Sequence, residues 1–414
     1  MKERSILHID MNNFYASVEC LYNPALRDVP MAVGGDPEQR HGIVLAKNYI
    51  AKAWGVQTGQ ALWEARQKCP KIVFVPPHYD RYLDFSKKAY AIYQQYTDQV
   101  EPFGLDENWL DVTGSQHLFG AGPKIADDLR ERVKKELGIT ASVGVSYNKV
   151  FSKLGSDMKK PDATTVITQA DFRSKVWPLP VGELLYVGRA TQIKMRRYGI
   201  MTIGDLARAP REQLQFSMGK IGLMLWQFAN GYDTSPVSIS GVYAPIKSVG
   251  NSTTTYRDLT TEQDVKITLY LLAESVAARL REHGLACRTV QISIRDNQLQ
   301  SFERQAKLIE PACISAPLAE TALQLFRANV PGTYAIRSLG VRGCDLVPRD
   351  QYQMSLLSEY RNRQQQEEIE RAIDKVRARY GHYSVQRGIM LLDRRLSGLN
   401  PKDDHIIHPI GFLK

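Results

Sequence analysis

The chain is poor in cysteine: five among 414 residues (Cys20, Cys69, Cys287, Cys313, Cys344), none in a C-x-x-C pair. That excludes a zinc-finger pattern and a disulfide framework, and it points to a reduced cytoplasmic compartment. No stretch approaches the roughly 18 consecutive apolar residues that a membrane-spanning helix needs. The opening MKERSILHID has no apolar leader, because Asp10 interrupts its hydrophobic stretch. No G-x-x-x-x-G-K-[ST] loop occurs, which argues against a Walker-type nucleotide motor.

What is present is an ordinary soluble composition, 43% hydrophobic and 24% charged, in a chain too long for one core. The formal net charge is +10. Residues 1–165 are almost balanced, with 21 basic and 20 acidic side chains, so the positive excess lies in the remainder. A polyanion such as nucleic acid is the partner this predicts.

Two segments stand out. Residues 6–15 (ILHIDMNNFY) and 103–112 (FGLDENWLDV) each set acidic side chains at the edge of an apolar, strand-like run. A carboxylate there is costly unless something neutralises it. Asp10 ends one predicted strand, and Asp106 and Glu107 sit at a predicted hairpin tip; three converging carboxylates would suit divalent cations. Taken alone, the Asp106-Glu107 pair is better read as what a β-turn selects; beside Asp10 and a matching βαββαβ order, the metal reading prevails.

The predicted elements give this convergence a framework. Strands over 5–10, 100–103, 108–112 and 141–145, with helices over 79–98 and 123–137, follow the order βαββαβ of a ferredoxin-like fold. An insertion at 19–76 reads as a small α/β subdomain with strands over 31–34 and 43–46 and helices over 49–54 and 61–68. Short helices are predicted over 189–198, 203–207, 211–216 and 220–229. Within them, Gly188 and Arg189 open a helix-hairpin-helix, a unit that grips phosphates, although Tyr186 stands where such hairpins carry glycine. Residues 236–245 read as an extended linker. A second βαββαβ unit follows in 246–348, with Thr261 as an N-cap. Beyond 348, a charged helix over 359–380 is expected to carry Ile369, Ile373, Val376 and Tyr380 in register, and residues from Gly381 to be loosely structured.

The environment of Asp10, the run from Asp106 through WLDVTGS, and residues 146–161 (SYNKVFSKLGSDMKKP) together resemble the Y-family translesion DNA polymerases, across nearly the whole chain. The resemblance implies an α+β right hand. Its palm would span 1–18 and 77–165, its fingers 19–76, a helical thumb 166–235 and a βαββαβ little finger 246–348, with a tail over 349–414. It implies template-directed addition of deoxynucleotides to a primer end, across damaged bases, with low fidelity and no proofreading. Two Mg²⁺ ions (or Mn²⁺) would be held by Asp10, Asp106, Glu107 and the Met11 carbonyl. Tyr15 would be the steric gate against ribose, next to Asn13 and Phe14 in the nucleotide site. Tyr49, Lys52 and Lys160 would meet the triphosphate, with Lys52 replacing a commoner arginine. Ile43 and Leu45 stand where smaller side chains often roof the nascent base pair. On the little finger, Arg288, Arg295, Arg304, Arg337 and Arg342 would face DNA phosphates. Gln353, Leu356 and Leu357 match the peptide by which bacterial polymerases hook a sliding clamp. The expected partners are primer-template DNA, dNTP and that clamp, with the enzyme a monomer.

Two other readings use the same features. A nucleotidyl cyclase has a related βαββαβ core with paired aspartates, and a non-catalytic DNA-binding protein would account for the charge and the tail. The polymerase IV and polymerase V branches both remain open at this level.

Overall fold

A computed structural model describes residues 3–35, 42–242, 245–349 and 359–402, and these fall into two compact units that part at residues 243–244.

The first unit has eight strands among its described residues: β1 (Ile6–Met11), β2 (Met31–Gly34), β3 (Val44–Lys47), β4 (Val73–Val75), β5 (Val100–Pro102), β6 (Glu107–Asp111), β7 (Ala141–Ser146) and β8 (Thr164–Ile167). Five form a sheet in the order β5-β6-β1-β7-β8, with β1 antiparallel to both β6 and β7. Alternation along β1 divides its residues between two faces. Leu7, Ile9 and Met11 enter a core shared with the helices Tyr79–Tyr93 and Gly122–Leu137. His8 and Asp10 take the other face, covered by the helix Lys149–Met158. That helix starts at Asn148, whose side chain accepts from the Phe151 N–H at 2.8 Å. It lies almost backbone to backbone on β7: a methyl on Gly144 would stand 1.8 Å from the Ser152 carbonyl oxygen. Only glycine allows this approach, which brings the lysines of the helix close to the sheet.

Several expectations are corrected. The helix from Tyr79 ends at Tyr93 rather than near 98, because the Thr97 hydroxyl donates to the Asp111 carbonyl at 2.7 Å and ties the chain to β6. The helix Lys149–Met158 and the parallel strand β8 add to the βαββαβ set, and β8 crosses the expected boundary at 165/166. The insertion gains a third strand, β4, parallel to β2. Further on, the break expected between helices 211–216 and 220–229 is present: the span Arg211–Ala229 is interrupted at Gly219, where φ is 64°. Residues 236–242 form no helix or strand, as expected of an extended linker, but they are anchored to the first unit. Val237 packs on Ile6 and Trp109, and the Ser238 N–H donates to Glu101 at 2.9 Å.

The second unit holds β9 (Ser248–Leu259), β10 (Leu285–Asp296), β11 (Ser301–Ala312) and β12 (Ile336–Pro348), ordered β11-β10-β12-β9. Helices Glu262–Glu282 and Ser315–Asn329 pack on one face, the first opened by a Thr261–Asp264 capping box. The element order repeats that of the first sheet, but the neighbours differ, since the opening strand β9 lies at an edge.

The tail helix forms as expected, over Glu359–Tyr380, and leaves Ile369 (52%) and Tyr380 (66%) exposed. It is held instead through charge: Glu370 and Asp374 on Arg281, and Arg377 on Glu274. Residues 381–402 are packed rather than loose, with Met390 and Leu396 in the core and Arg387 bonded to Glu274 and Glu370.

Candidate active site

The site is built where β1 ends beside the β5–β6 turn. Asp10 lies opposite Glu107 in the strand register, and the Met11 N–H donates to the Asp106 carbonyl at 3.0 Å. Asp10 and Asp106 thereby reach one cavity of about 350 Å³, whose walls include Met11, Asn13, Phe14 and Tyr15. Two positions a hundred residues apart meet because the turn overlaps the end of β1.

Glu107 points elsewhere. Both its carboxylate oxygens accept from Lys153 Nζ at 2.9 Å, and Oε2 lies 3.7 Å from His8 Nε2. Among the described residues, no three acidic, histidine or cysteine side chains converge as a metal cage. The expected trio therefore resolves into a pair on the cavity and a third carboxylate beside it. The cause is electrostatic: Lys153 projects from the helix lying on this face and neutralises Glu107. Lys160 does the same for Asp10, donating to Asp10 Oδ2 at 2.6 Å and to Asp157 Oδ1 at 2.8 Å.

These pairings do not fully compensate the carboxylates. Burial, then Asp106 and Glu107, push Asp10 up to about 8 against the pull of Lys160. Burial and then Glu107 push Asp106 up to about 6. Oxygen donors that resist ionisation together, in an open polar cavity, match the preference of a hard divalent cation. His8 is fully buried and held well below its usual pKa, by burial first and then by Lys153, Lys160 and Lys149. Its Nδ1 lies 2.8 Å from Ser156 Oγ, while Nε2 has no hydrogen-bond partner.

Tyr15 sits in the first turn of the helix Phe14–Tyr22, which Asn13 enters with φ 48°. Its ring stacks on Tyr82 and meets Tyr79 edge to face. Tyr49 opens the helix Tyr49–Ala53, and the Lys52 ammonium lies 5.4 Å from its ring centroid. Burial raises the Tyr49 hydroxyl pKa, with Lys160 and Asp10 acting on it in opposite directions. Leu45 lines the cavity, whereas Ile43 is largely exposed. Lys47 and Thr58 also line it, and sequence reasoning passed over both. The available signal was a lysine closing a strand immediately before the Asn48 cap, five residues ahead of Lys52.

Away from the cavity, Gly188 caps the helix Arg189–Arg196, and Tyr186 adopts φ 69°, the left-handed conformation for which glycine is usual. In the second unit the strand register sorts the arginines. Arg342 opposes Gln291 and Arg295 opposes Ser338, which puts both on the sheet face away from the helices. Arg304 opposes Ile292 on the helix-covered face and donates to Asn329. Arg288 and Arg337 fall at breaks in the register. The five arginines thus do not form one row. Gln353, Leu356 and Leu357 lie outside the described residues.

Three family models match segments of the chain. The impB/mucB/samB family model matches residues 9–157, its C-terminal domain model residues 246–356, and a model described as DNA polymerase-iota thumb domain residues 183–233. The chain belongs to this family, the Y-family translesion DNA polymerases. Among its relatives, DNA polymerase IV of Acetivibrio thermocellus is 56% identical over 95% of this chain and 99% of its own length. DNA polymerase IV of Moorella thermoacetica is 38% identical over 94% of this chain and 96% of its own length. DNA polymerase IV 2 of Bacillus subtilis is 37% identical over 94% and 95%. A solved Y-family DNA polymerase chimera superposes with a TM-score of 0.72 at 22% identity, covering 83% of this chain and 99% of its own.

Proposed function

We propose that this chain is a DNA-directed DNA polymerase of the polymerase IV type, which extends primers across damaged template bases from the cavity around Asp10 and Asp106. The observation that carries the reading is the placement of that acidic pair, an aromatic ring at Tyr15 and the Lys160 ammonium on one open cavity. In this reading the five-stranded sheet is the palm, running through β8 to Ile167, and residues 19–76 are the fingers. The helices up to residue 235 are the thumb, and the second unit is the little finger.

Asp10 and Asp106, with the Met11 carbonyl and Glu107, would hold the divalent cations. When bound, those ions ease ionisation of the primer 3′-hydroxyl and stabilise the leaving pyrophosphate. The chain's own groups do the rest. Lys160, now on Asp10, turns to the triphosphate, and Lys153 is the counter-ion that sets the carboxylate plane of Glu107. Tyr49 and Lys52 border the same anion. Tyr15 closes the floor beneath the sugar and leaves no room for a 2′-hydroxyl. Arg295 and Arg342 belong to the face that holds duplex phosphates, and Gly188–Arg189 to a second, sequence-independent grip. The 353–357 peptide would tether the enzyme, a cytoplasmic monomer, to a sliding clamp.

Primer extension by the purified chain on intact and abasic templates tests the assignment. Asp106→Ala should abolish Mg²⁺-dependent extension and leave DNA binding intact. Extension that survives Asp106→Ala would remove the site, and cyclisation of ATP in its place would favour the cyclase reading.

A further inference from the structure

The last residue of β3, Lys47, stands in the wall of the catalytic cavity with Asp10, Tyr15, Asp106 and Lys160. Its ammonium donates to Thr58 Oγ1 at 2.9 Å, a neutral partner that leaves the positive charge uncompensated. Among the described residues, neither Lys47 nor Lys52 forms an ion pair with a carboxylate. Lys52 and Lys160 each lie close enough to Lys47 to repel its ammonium. The Lys47 pKa is lowered, by burial first and then by Lys52 and Lys160. A fold tolerates clustered like charges beside a cavity when a polyanion enters it. Lys52 also supplies one point charge where a guanidinium fork would supply two parallel hydrogen bonds. A second lysine on the adjoining strand restores part of that electrostatic grip.

We infer that Lys47 is a binding residue for the triphosphate of the incoming deoxynucleotide, acting with Lys52 and Lys160. This rests on the polymerase reading of the cavity. Its role is substrate capture, felt equally before and during the chemical step, so its loss raises KM and leaves kcat in place.

Three variants separate this from a purely local role as a tether for Thr58. Lys47→Gln keeps a hydrogen-bonding group in reach of Thr58 but removes the charge, and Lys47→Arg keeps the charge. In single-nucleotide insertion, Lys47→Gln should raise the dNTP KM about tenfold, the worth of one charge-assisted hydrogen bond, with kcat nearly unchanged, and Lys47→Arg should restore KM. As a readout independent of turnover, inorganic tripolyphosphate with Mg²⁺ should raise the melting temperature of the wild type more than that of Lys47→Gln. A wild-type KM in Lys47→Gln, or equal stabilisation of both proteins by tripolyphosphate, overturns the inference. Asp106→Ala serves as the third variant: if it still extends primers, the cavity reading itself fails, whatever Lys47 does.

Discussion

The rings of Tyr15 and Tyr82 lie face to face, with centroids 4.2 Å apart and planes 7° from parallel. Tyr82 is wholly buried, and its hydroxyl donates to Glu19 Oε1 at 2.6 Å. Glu19 is buried in turn and accepts from Arg81 at 3.0 Å, with His78 Nδ1 at 2.9 Å. The Tyr15 ring, the proposed gate beneath the sugar, therefore rests on a second ring, which is fixed by a charged anchor one layer further in.

This stack predicts a change in sugar selectivity at a residue that lines no part of the cavity. An aromatic pair contributes about 1 kcal/mol beyond its buried area, enough to hold Tyr15 in one plane. Tyr82→Leu should let Tyr15 tilt and lower the dNTP-over-rNTP ratio of kcat/KM about tenfold. Tyr82→Phe keeps the stack and should keep most of the ratio, while losing stability because Glu19 forfeits a donor. Paired insertion assays with dCTP and CTP check both. An unchanged ratio in a folded Tyr82→Leu protein would show that Tyr15 holds its plane unaided.

The elevated carboxylate pKa values set a pH dependence whose sign can be worked out. Asp10 sits at about 8 in the native state against an ordinary 3.8, so between those values the folded protein holds a proton that the unfolded chain has lost. Stability from this group is present below the ordinary value and is lost as pH rises towards 8. In EDTA the melting temperature should therefore fall between pH 5 and 8 more steeply in the wild type than in Asp10→Asn. Mg²⁺ competes with that proton, so its affinity should rise over the interval from about 6 to about 8 set by Asp106 and Asp10. Isothermal titration in two buffers of different ionisation enthalpy should show proton release on binding. An affinity flat across that interval would contradict the assignment.

Lys153 is the third testable contact. It sits against both oxygens of Glu107 and also 3.6 Å from Asp157. Removing one member of a partly buried pair leaves the other charge uncompensated, at a cost of about 2 kcal/mol. Lys153→Met should therefore lower the EDTA melting temperature, and added Mg²⁺ should recover more of that loss than the wild type gains. If Mg²⁺ stabilises the two proteins equally, Glu107 and Lys153 form a pair apart from the cation site.

How far the sequence foretold this arrangement depends on the range of the interaction. The alternation of β1 and the turn at Asp106 are local, and both are where the residue pattern puts them. The direction of Glu107 is not local. It follows from Lys153, whose helix can lie against the sheet only because Gly144 has no side chain. Lys47 is a related case: Lys52 follows it by five residues, but Lys160 comes from a distant part of the chain, and its approach exists only in the fold. Strand order is the same kind of property, since two sheets with one element order have different neighbours.

The tail helix shows where pattern misleads, and it gives the last prediction. Ile369, Ile373, Val376 and Tyr380 have the spacing of a buried stripe, yet Ile369 and Tyr380 face solvent. The surface that receives the helix offers Arg281 and Glu274, so the complementary face carries Glu370, Asp374 and Arg377. Arg281 is nearly buried and reaches Glu370, Asp374 and the Cys313 carbonyl. Arg281→Met should thus cost about 3 kcal/mol in chemical denaturation, because two carboxylates lose their shared partner. Ile369→Ser should stay within about 0.5 kcal/mol, as exposed substitutions do. If the order of the two effects were reversed, the apolar stripe would be the face that docks the helix, and the charged contacts would be incidental to it.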